Sequence, residues 1–63
     1  MTDKQYRAAI EALGLSQERS GVWLGLSARQ GQRYATGKQK IPGPVAKLLR
    51  LVIKLGLKPE DVR

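Results

Sequence analysis

Apolar residues recur at helical spacing along most of this 63-residue chain, and strand-like alternation is absent. The first apolar stripe consists of Tyr6, Ala9, Ile10 and Leu13. Thr2 is placed to cap this helix, and Gln5, three residues later, completes a possible capping box. Gly14 then predicts the end of the helix, since glycine tolerates the left-handed conformation of a helix stop.

Serines precede and glycines follow the next two predicted helices, which cover residues 17–24 and 28–36. These caps and stops are, in chain order, Ser16, Gly25, Ser27 and Gly37. Ser is a favoured N-cap because its hydroxyl accepts a hydrogen bond from an otherwise unpaired amide. The short spacing between each stop and the next start requires the chain to turn sharply.

A flexible connector over residues 38–43 is predicted to lead to a fourth helix. Pro44 suits a first helical turn, so this helix is predicted over residues 44–55, with Gly56 as its stop. Pro59 begins one last turn. We therefore predict an all-α fold, a compact bundle of four to five helices that forms one domain over residues 1–63.

The charge distribution narrows the possible partners more than the net charge of +7 does. The acids are Asp3, Glu11, Glu18, Glu60 and Asp61. No acid lies between Arg19 and Pro59. That stretch holds nine bases: Arg19, Arg29, Arg33, Lys38, Lys40, Lys47, Arg50, Lys54 and Lys58. Such a basic block indicates a polyanionic partner, either nucleic acid or an anionic membrane.

Cysteine and histidine are both absent, which excludes disulfides and argues against a zinc site or a Ser-His-Asp triad. The few carboxylates offer no acid–base pair. We therefore expect no enzyme activity, no catalytic residue, no metal, no cofactor and no small-molecule ligand. No apolar run approaches the roughly 20 residues that cross a bilayer, and no signal-peptide core is present. These features predict a cytoplasmic protein that does not bind membranes.

Segment 16–37, SQERSGVWLGLSARQGQRYATG, has the order capped helix, glycine turn, capped helix. The residues that carry a family resemblance are Gln17, Leu24, Gly25, Leu26 and Tyr34. Together they resemble the Cro and phage-repressor (XRE-type) family of helix-turn-helix domains, and the flanking YRAAIEALGLSQ and IPGPVAKLLRLV extend the resemblance over nearly the whole chain. The resemblance implies a lambda-repressor-like fold that binds double-stranded DNA. It also implies that Gln17 contacts phosphate or braces a base-contacting side chain.

The third helix would enter the major groove in such a protein. Its 3.6-residue period places Ala28, Arg29, Gln32, Arg33 and Thr36 on one outward face, opposite Gly31 and Tyr34. Arginine pairs with guanine and glutamine with adenine, and the small alanine permits a close approach. The candidate DNA-binding residues are Gln17, Ser27, Ala28, Arg29, Gln32, Arg33, Thr36, Lys38 and Lys40. Lys38 and Lys40 suit phosphates, and Ser27 is first of all a cap.

Two glycines depart from the family pattern. Four residues after Gln17 the family usually has alanine, where this chain has Gly21, and Gly31 stands where a buried Val or Ile is usual. Each glycine costs up to about 1 kcal/mol of helix propensity relative to alanine. Either the two helices approach more closely, or Trp23 or Tyr34 fills the missing volume. In either case we expect Trp23 to close the small core. Leu24 and Leu26 should point into the angle between the helices.

The fourth helix has more apolar residues than one core requires. Leu48, Val52 and Leu55 are predicted to face the core. Leu55 is also a candidate for the surplus apolar residues that a second subunit would bury. The candidate dimer interface comprises Leu51, Ile53, Leu55, Leu57 and Val62. A small domain buries little surface alone, and a homodimer would supply the missing burial.

We therefore expect a sequence-specific transcriptional regulator of a phage or mobile element. It would be a homodimeric repressor that binds a palindromic operator in a prokaryotic cell and is associated with the nucleoid when bound to DNA. Two other classes stay open. A cationic membrane-surface peptide would explain the charge, but not three capped helices in sequence. A protein-binding module on a helix-turn-helix scaffold, such as an antitoxin or antiactivator, would not need Arg29, Gln32 and Arg33 on one face.

Overall fold

The computed structural model describes residues 1–61 and is all-α, as predicted. The elements are α1 (Asp3–Ala12), α2 (Gln17–Trp23), α3 (Ala28–Thr36), α4 (Gly43–Lys54) and a 3₁₀ turn, Pro59–Asp61. No strand occurs among these 61 residues. None of the described helices combines the length and the apolar character needed to cross a membrane. Val62, a candidate interface residue, lies outside the described residues.

The predicted N-caps are present at the first three helices. The Thr2 hydroxyl accepts from the Gln5 amide at 3.1 Å, and the Gln5 side chain accepts from the Thr2 amide at 2.9 Å, which completes the capping box. Ser16 and Ser27 each accept at 3.1 Å from the amide three residues ahead. These local bonds determine where α1, α2 and α3 begin.

Three helix boundaries differ from the prediction by one residue. Gly43 and not Pro44 is the first residue of α4, with Pro42 at the N-cap, and the helix ends at Lys54. No side chain caps this end. Pro44 has no N–H of its own, so one of the amides that would need a partner in the first turn is missing. The second helix likewise ends early, at Trp23.

The core lies where α1, α3 and α4 meet. Its buried apolar residues are Tyr6, Ala9, Ile10, Tyr34, Ala35, Ile41, Ala46, Leu49 and Val52. The rings of Tyr6 and Tyr34 meet edge to face with centroids 5.7 Å apart. Leu48 is half-buried. Leu55 was predicted to face the core and is instead 60% exposed, because it lies about 120° around the helix from the buried Leu49.

The connector between α3 and α4 was predicted to be flexible, and the structure anchors it. Ile41, in the middle of the polar segment, is buried in the core. The amides of Lys38 and Gln39 both donate to the Arg33 carbonyl, at 3.0 and 3.2 Å. The backbone that carries Lys38 and Lys40 is therefore held against α3.

The turn between α2 and α3 depends on a left-handed residue, Gly25, whose φ is +81°. The amide of Leu26 then donates back to the Gly21 carbonyl at 2.8 Å. Leu24 packs against the core. Leu26, which follows the chain reversal at Gly25, is 44% exposed and so is only partly enclosed.

Helices α2 and α3 touch backbone to backbone at Gly21 and Gly31. A Cβ atom on Gly21 would lie 2.7 Å from the Gly31 nitrogen, and one on Gly31 would lie 2.6 Å from the Gly21 nitrogen. The same added Cβ atoms would also clash with backbone carbonyl oxygens, that of Ser27 at Gly21 and that of Gln17 at Gly31. Of the two alternatives, the structure adopts the closer approach of the helices, which leaves no space for a side chain between them.

Trp23 closes the side of the molecule next to this contact. Its ring is half-buried against the core, and its Nε1 donates to the Pro59 carbonyl at 3.0 Å. The indole therefore ties the C-terminal 3₁₀ turn to α2, which agrees with the expected structural role.

The glycine contact predicts that Gly21→Ala destabilises the protein. The added methyl group meets the backbone of α3, and overpacking of this kind outweighs the gain of about 1 kcal/mol in helix propensity. We expect a net loss of about 2 kcal/mol or more in the free energy of unfolding, measured by urea denaturation. The control is Ala8→Gly on the exposed side of α1, which should lose only about 1 kcal/mol. A Gly21→Ala variant as stable as the wild type would contradict the packing described.

Candidate nucleic-acid interface

Helix α3 has one buried side and one exposed side, divided as its period predicts. Gly31, Tyr34 and Ala35 are buried against the rest of the bundle. The exposed side chains are Arg29, Gln32, Arg33 and Thr36. Because the exposed side carries two guanidinium groups and an amide, it presents many hydrogen-bond donors to solvent.

A shallow groove joins this exposed side of α3 to the start of α2. Its lining residues are Gln17, Arg29, Gln32, Arg33, Thr36 and Lys38. All six are among the nine candidate residues predicted from the sequence. Three of the six are cationic and none is anionic, so the groove favours an anionic partner.

The three other candidates lie outside the lining of this groove. Ser27 accepts the Gln30 amide with its hydroxyl and so acts as the cap of α3. Ala28 is half-buried in the first turn of α3, and Lys40 is exposed on the connector. Their positions at the two ends of α3 leave them accessible to a partner larger than the groove.

Tyr6 of α1 holds the first turn of α2 in place. The hydroxyls of Tyr6 and Ser20 lie 2.6 Å apart, and Ser20 donates to the Gln17 carbonyl at 2.6 Å. Because the Ser20 proton is used in that bond, Tyr6 is the donor to Ser20. Burial raises the pKa of the Tyr6 phenol, because the charged phenolate would lose its hydration there.

Arg7 of α1 holds the C-terminal end of α3 in place. Its Nη1 lies 3.1 Å from Asp3 Oδ2 and also donates to the Ala35 carbonyl. A cation is favourable at this place because the last carbonyls of a helix carry partial negative charge. The hydrogen bond from Arg7 lowers the pKa of the Asp3 carboxyl. Helix α1 thus braces both α2 and α3 from behind the groove.

One residue beside the groove was not predicted. Glu18, in the first turn of α2, accepts a hydrogen bond at Oε1 from Gln32 Nε2 at 2.7 Å. The resemblance suggested Gln17 as a possible brace, whereas within residues 1–61 Glu18 is the α2 side chain that hydrogen-bonds to the exposed side of α3. Sequence alone gives no signal for this contact, since an acid in a first helical turn is already explained by the helix dipole.

The candidate dimer residues of α4 do not form one patch. Leu51, Ile53 and Leu55 are 49%, 41% and 60% exposed. At about 100° per residue, Ile53 lies about 160° around the helix from Leu51, with the basic side chains between them. Those basic side chains are Lys47, Arg50 and Lys54. Leu57, 37% exposed, follows the end of α4.

The groove offers guanidinium, ammonium, amide and hydroxyl groups, and such groups bind phosphate oxygens and planar arrays of acceptors. Comparisons with protein-family models, curated proteins and solved structures gave no match to this chain.

The brace between Tyr6 and α2 predicts how stability depends on pH. The folded-state pKa of Tyr6 is raised above its unfolded value of about 10. The stabilisation that the neutral phenol gives to the fold is therefore complete below about pH 10 and is lost as the pH rises through the folded-state pKa. Tyr6→Phe should lose about 1 kcal/mol at neutral pH and then fall less steeply than the wild type above about pH 10. Denaturation across this range measures both. Both proteins have the same lysines, whose titration affects their stability equally. Parallel curves of stability against pH would therefore contradict the role assigned to Tyr6.

Proposed function

We propose that this protein is a sequence-specific regulator of transcription that binds double-stranded DNA with α3 in the major groove. The observation that carries the proposal is the exposed side of α3, where Arg29, Gln32 and Arg33 lie together on a helix whose opposite side is buried in the bundle. Arginine and glutamine are the side chains that pair bidentately with guanine and adenine in that groove.

The residues around α3 supply contacts to the phosphates. Gln17 lies at the N-terminus of α2, and Lys38 lies just after α3 in the same groove. Lys40 extends this set along the anchored connector. Such contacts fix the register of the protein on the duplex without reading sequence.

We further propose that the protein acts as a homodimer on a palindromic operator, as a repressor in the bacterial cytoplasm. A single α3 reads only a few base pairs, and two copies related by a two-fold axis read two half-sites about one helical turn apart. Leu51 and Leu55 suit the interface because they lie about 40° apart on one flank of α4, next to the half-buried Leu48.

A second candidate function has one observation in its favour. An open groove between α1, α2 and the C-terminal turn is lined mainly by apolar groups, among them Leu13, Leu15, Val22 and Trp23. Such a surface suits a protein partner, as in an antitoxin or antiactivator. This function does not require the donors on α3, so a protein of this kind would bind duplex DNA weakly and without sequence preference.

The proposal predicts strongly salt-dependent binding to duplex DNA. Six phosphate contacts would give a log–log slope of about −5 between affinity and salt concentration. Arg29→Ala or Arg33→Ala should lose about 1–3 kcal/mol and relax sequence preference at one base pair. Fluorescence anisotropy with labelled duplexes, starting from the DNA upstream of the protein's own gene, measures both effects.

The matched controls are Lys38→Ala and Lys40→Ala, which also remove one charge each. They should weaken binding to all sequences about equally and reduce the salt slope by about 1. A slope near zero for the wild type would exclude the proposed function. A change of sequence preference in the lysine variants alone would reverse the assigned roles.

The dimer proposal predicts that Leu51→Asp raises the dissociation constant of the dimer by at least about tenfold, since a buried leucine contributes ~1.5–3 kcal/mol in each subunit. Ile53→Asp, on the other flank of α4, should have a much smaller effect. Sedimentation equilibrium measures both constants. A wild-type protein that stays monomeric at tens of micromolar, with a melting temperature independent of concentration, would rule out the dimer.

A further inference from the structure

The contact between Glu18 and Gln32 determines how the amide of Gln32 is oriented. A carboxylate can only accept hydrogen bonds, so the group that faces Glu18 at 2.7 Å must be the Nε2 donor of Gln32. The amide oxygen, Oε1, then points away from Glu18. Without this partner the amide could rotate by half a turn and exchange its donor and acceptor ends at little cost.

Neither stability nor general affinity accounts for this contact. Both side chains are exposed, and a hydrogen bond between exposed, flexible groups adds little to the free energy of unfolding. The packing of α2 on α3 is already fixed by the backbone contact of Gly21 with Gly31. A carboxylate next to a cationic groove would also weaken attraction to phosphates.

We propose that Glu18 is a positioning residue that presents the amide oxygen of Gln32 to the DNA, which rests on the function proposed above. An acceptor presented to the major groove favours a base with an exposed amino group, adenine through N6 or cytosine through N4. Guanine O6 and thymine O4 are acceptors and are disfavoured. Glu18 thus contributes to base selection without touching a base.

The test is selection of bound sequences from a pool of randomised duplexes, followed by affinity measurements on the selected site. The wild type should select adenine or cytosine at one position, and Gln32→Ala should lose that preference. Glu18→Ala should lose it at the same position, with a discrimination about two- to tenfold lower, the cost of ordering one long side chain. The double variant should lose no more than either single variant.

Two further variants separate orientation from charge. Glu18→Asp keeps the negative charge, but its side chain is one methylene shorter and no longer reaches Gln32 Nε2, so it should lose the preference, whereas a merely electrostatic role would be kept by this charged residue. Glu11→Ala removes a negative charge from an exposed position of α1 and should leave base preference unchanged. Melting temperatures of the variants at Glu18 and Glu11 should shift by no more than a few degrees, the small effect of one charge at a helix end.

The outcomes distinguish this proposal from the proposed function. A wild type that selects no sequence overturns both. A wild type whose preference at the Gln32 position persists in Glu18→Ala overturns the positioning role alone, as does a wild-type preference for guanine or thymine at that position. A change of preference in Glu11→Ala equal to that in Glu18→Ala would show a general charge effect and would also overturn it.

Discussion

The contact between Gly21 and Gly31 is the constraint on which the geometry of the candidate interface depends. The two glycines let the backbones of α2 and α3 meet directly, with the carbonyls of Gln17 and Ser27 against the opposite glycine. Side chains at a helix contact can adjust their rotamers, but backbone atoms cannot, so this contact fixes the position of α3 relative to α2 closely. The same contact therefore also fixes where the groove residues of α2 lie relative to those of α3.

The remaining contacts hold this pair of helices from one side. Helix α1 reaches α2 through the Tyr6–Ser20 bond and α3 through the bond from Arg7 to the Ala35 carbonyl. Within residues 1–61, no buried side-chain nitrogen or oxygen lacks a hydrogen-bond partner. Buried polar bonds of this kind are directional, so they specify one arrangement of the helices where apolar packing alone would allow several. The exposed side of α3 can therefore consist of polar groups that contribute nothing to the core.

Local features of the fold could be predicted from the sequence, and features that depend on distant contacts could not. The caps at Thr2, Ser16 and Ser27 depend on residues three positions apart, and the period of α3 separates its exposed and buried sides. The burial of Ile41 depends on where α4 returns to the core, which a polar segment does not indicate.

The same distinction applies to the candidate site. Six of the predicted residues meet in one groove. Four of them share one side of α3 through its local periodicity, whereas Gln17 begins α2 and Lys38 lies on the connector after α3. The choice between closer helices and a filled gap at Gly21 and Gly31 stayed open, since it depends on tertiary packing. Glu18 was missed because its partner, Gln32, lies 14 residues away in the chain, on another helix.

The most direct measurement of the central claim, that α3 faces DNA, is mapping of backbone amide chemical shifts by NMR as a duplex of arbitrary sequence is added at low salt. Non-specific binding suffices, because phosphate contacts use the same surface. We predict that the largest changes lie at Gln17 and between residues 27 and 40, and that the exposed amides of α4 change little. Changes centred on α4 or on the groove around Trp23, or no changes at all, would contradict the account.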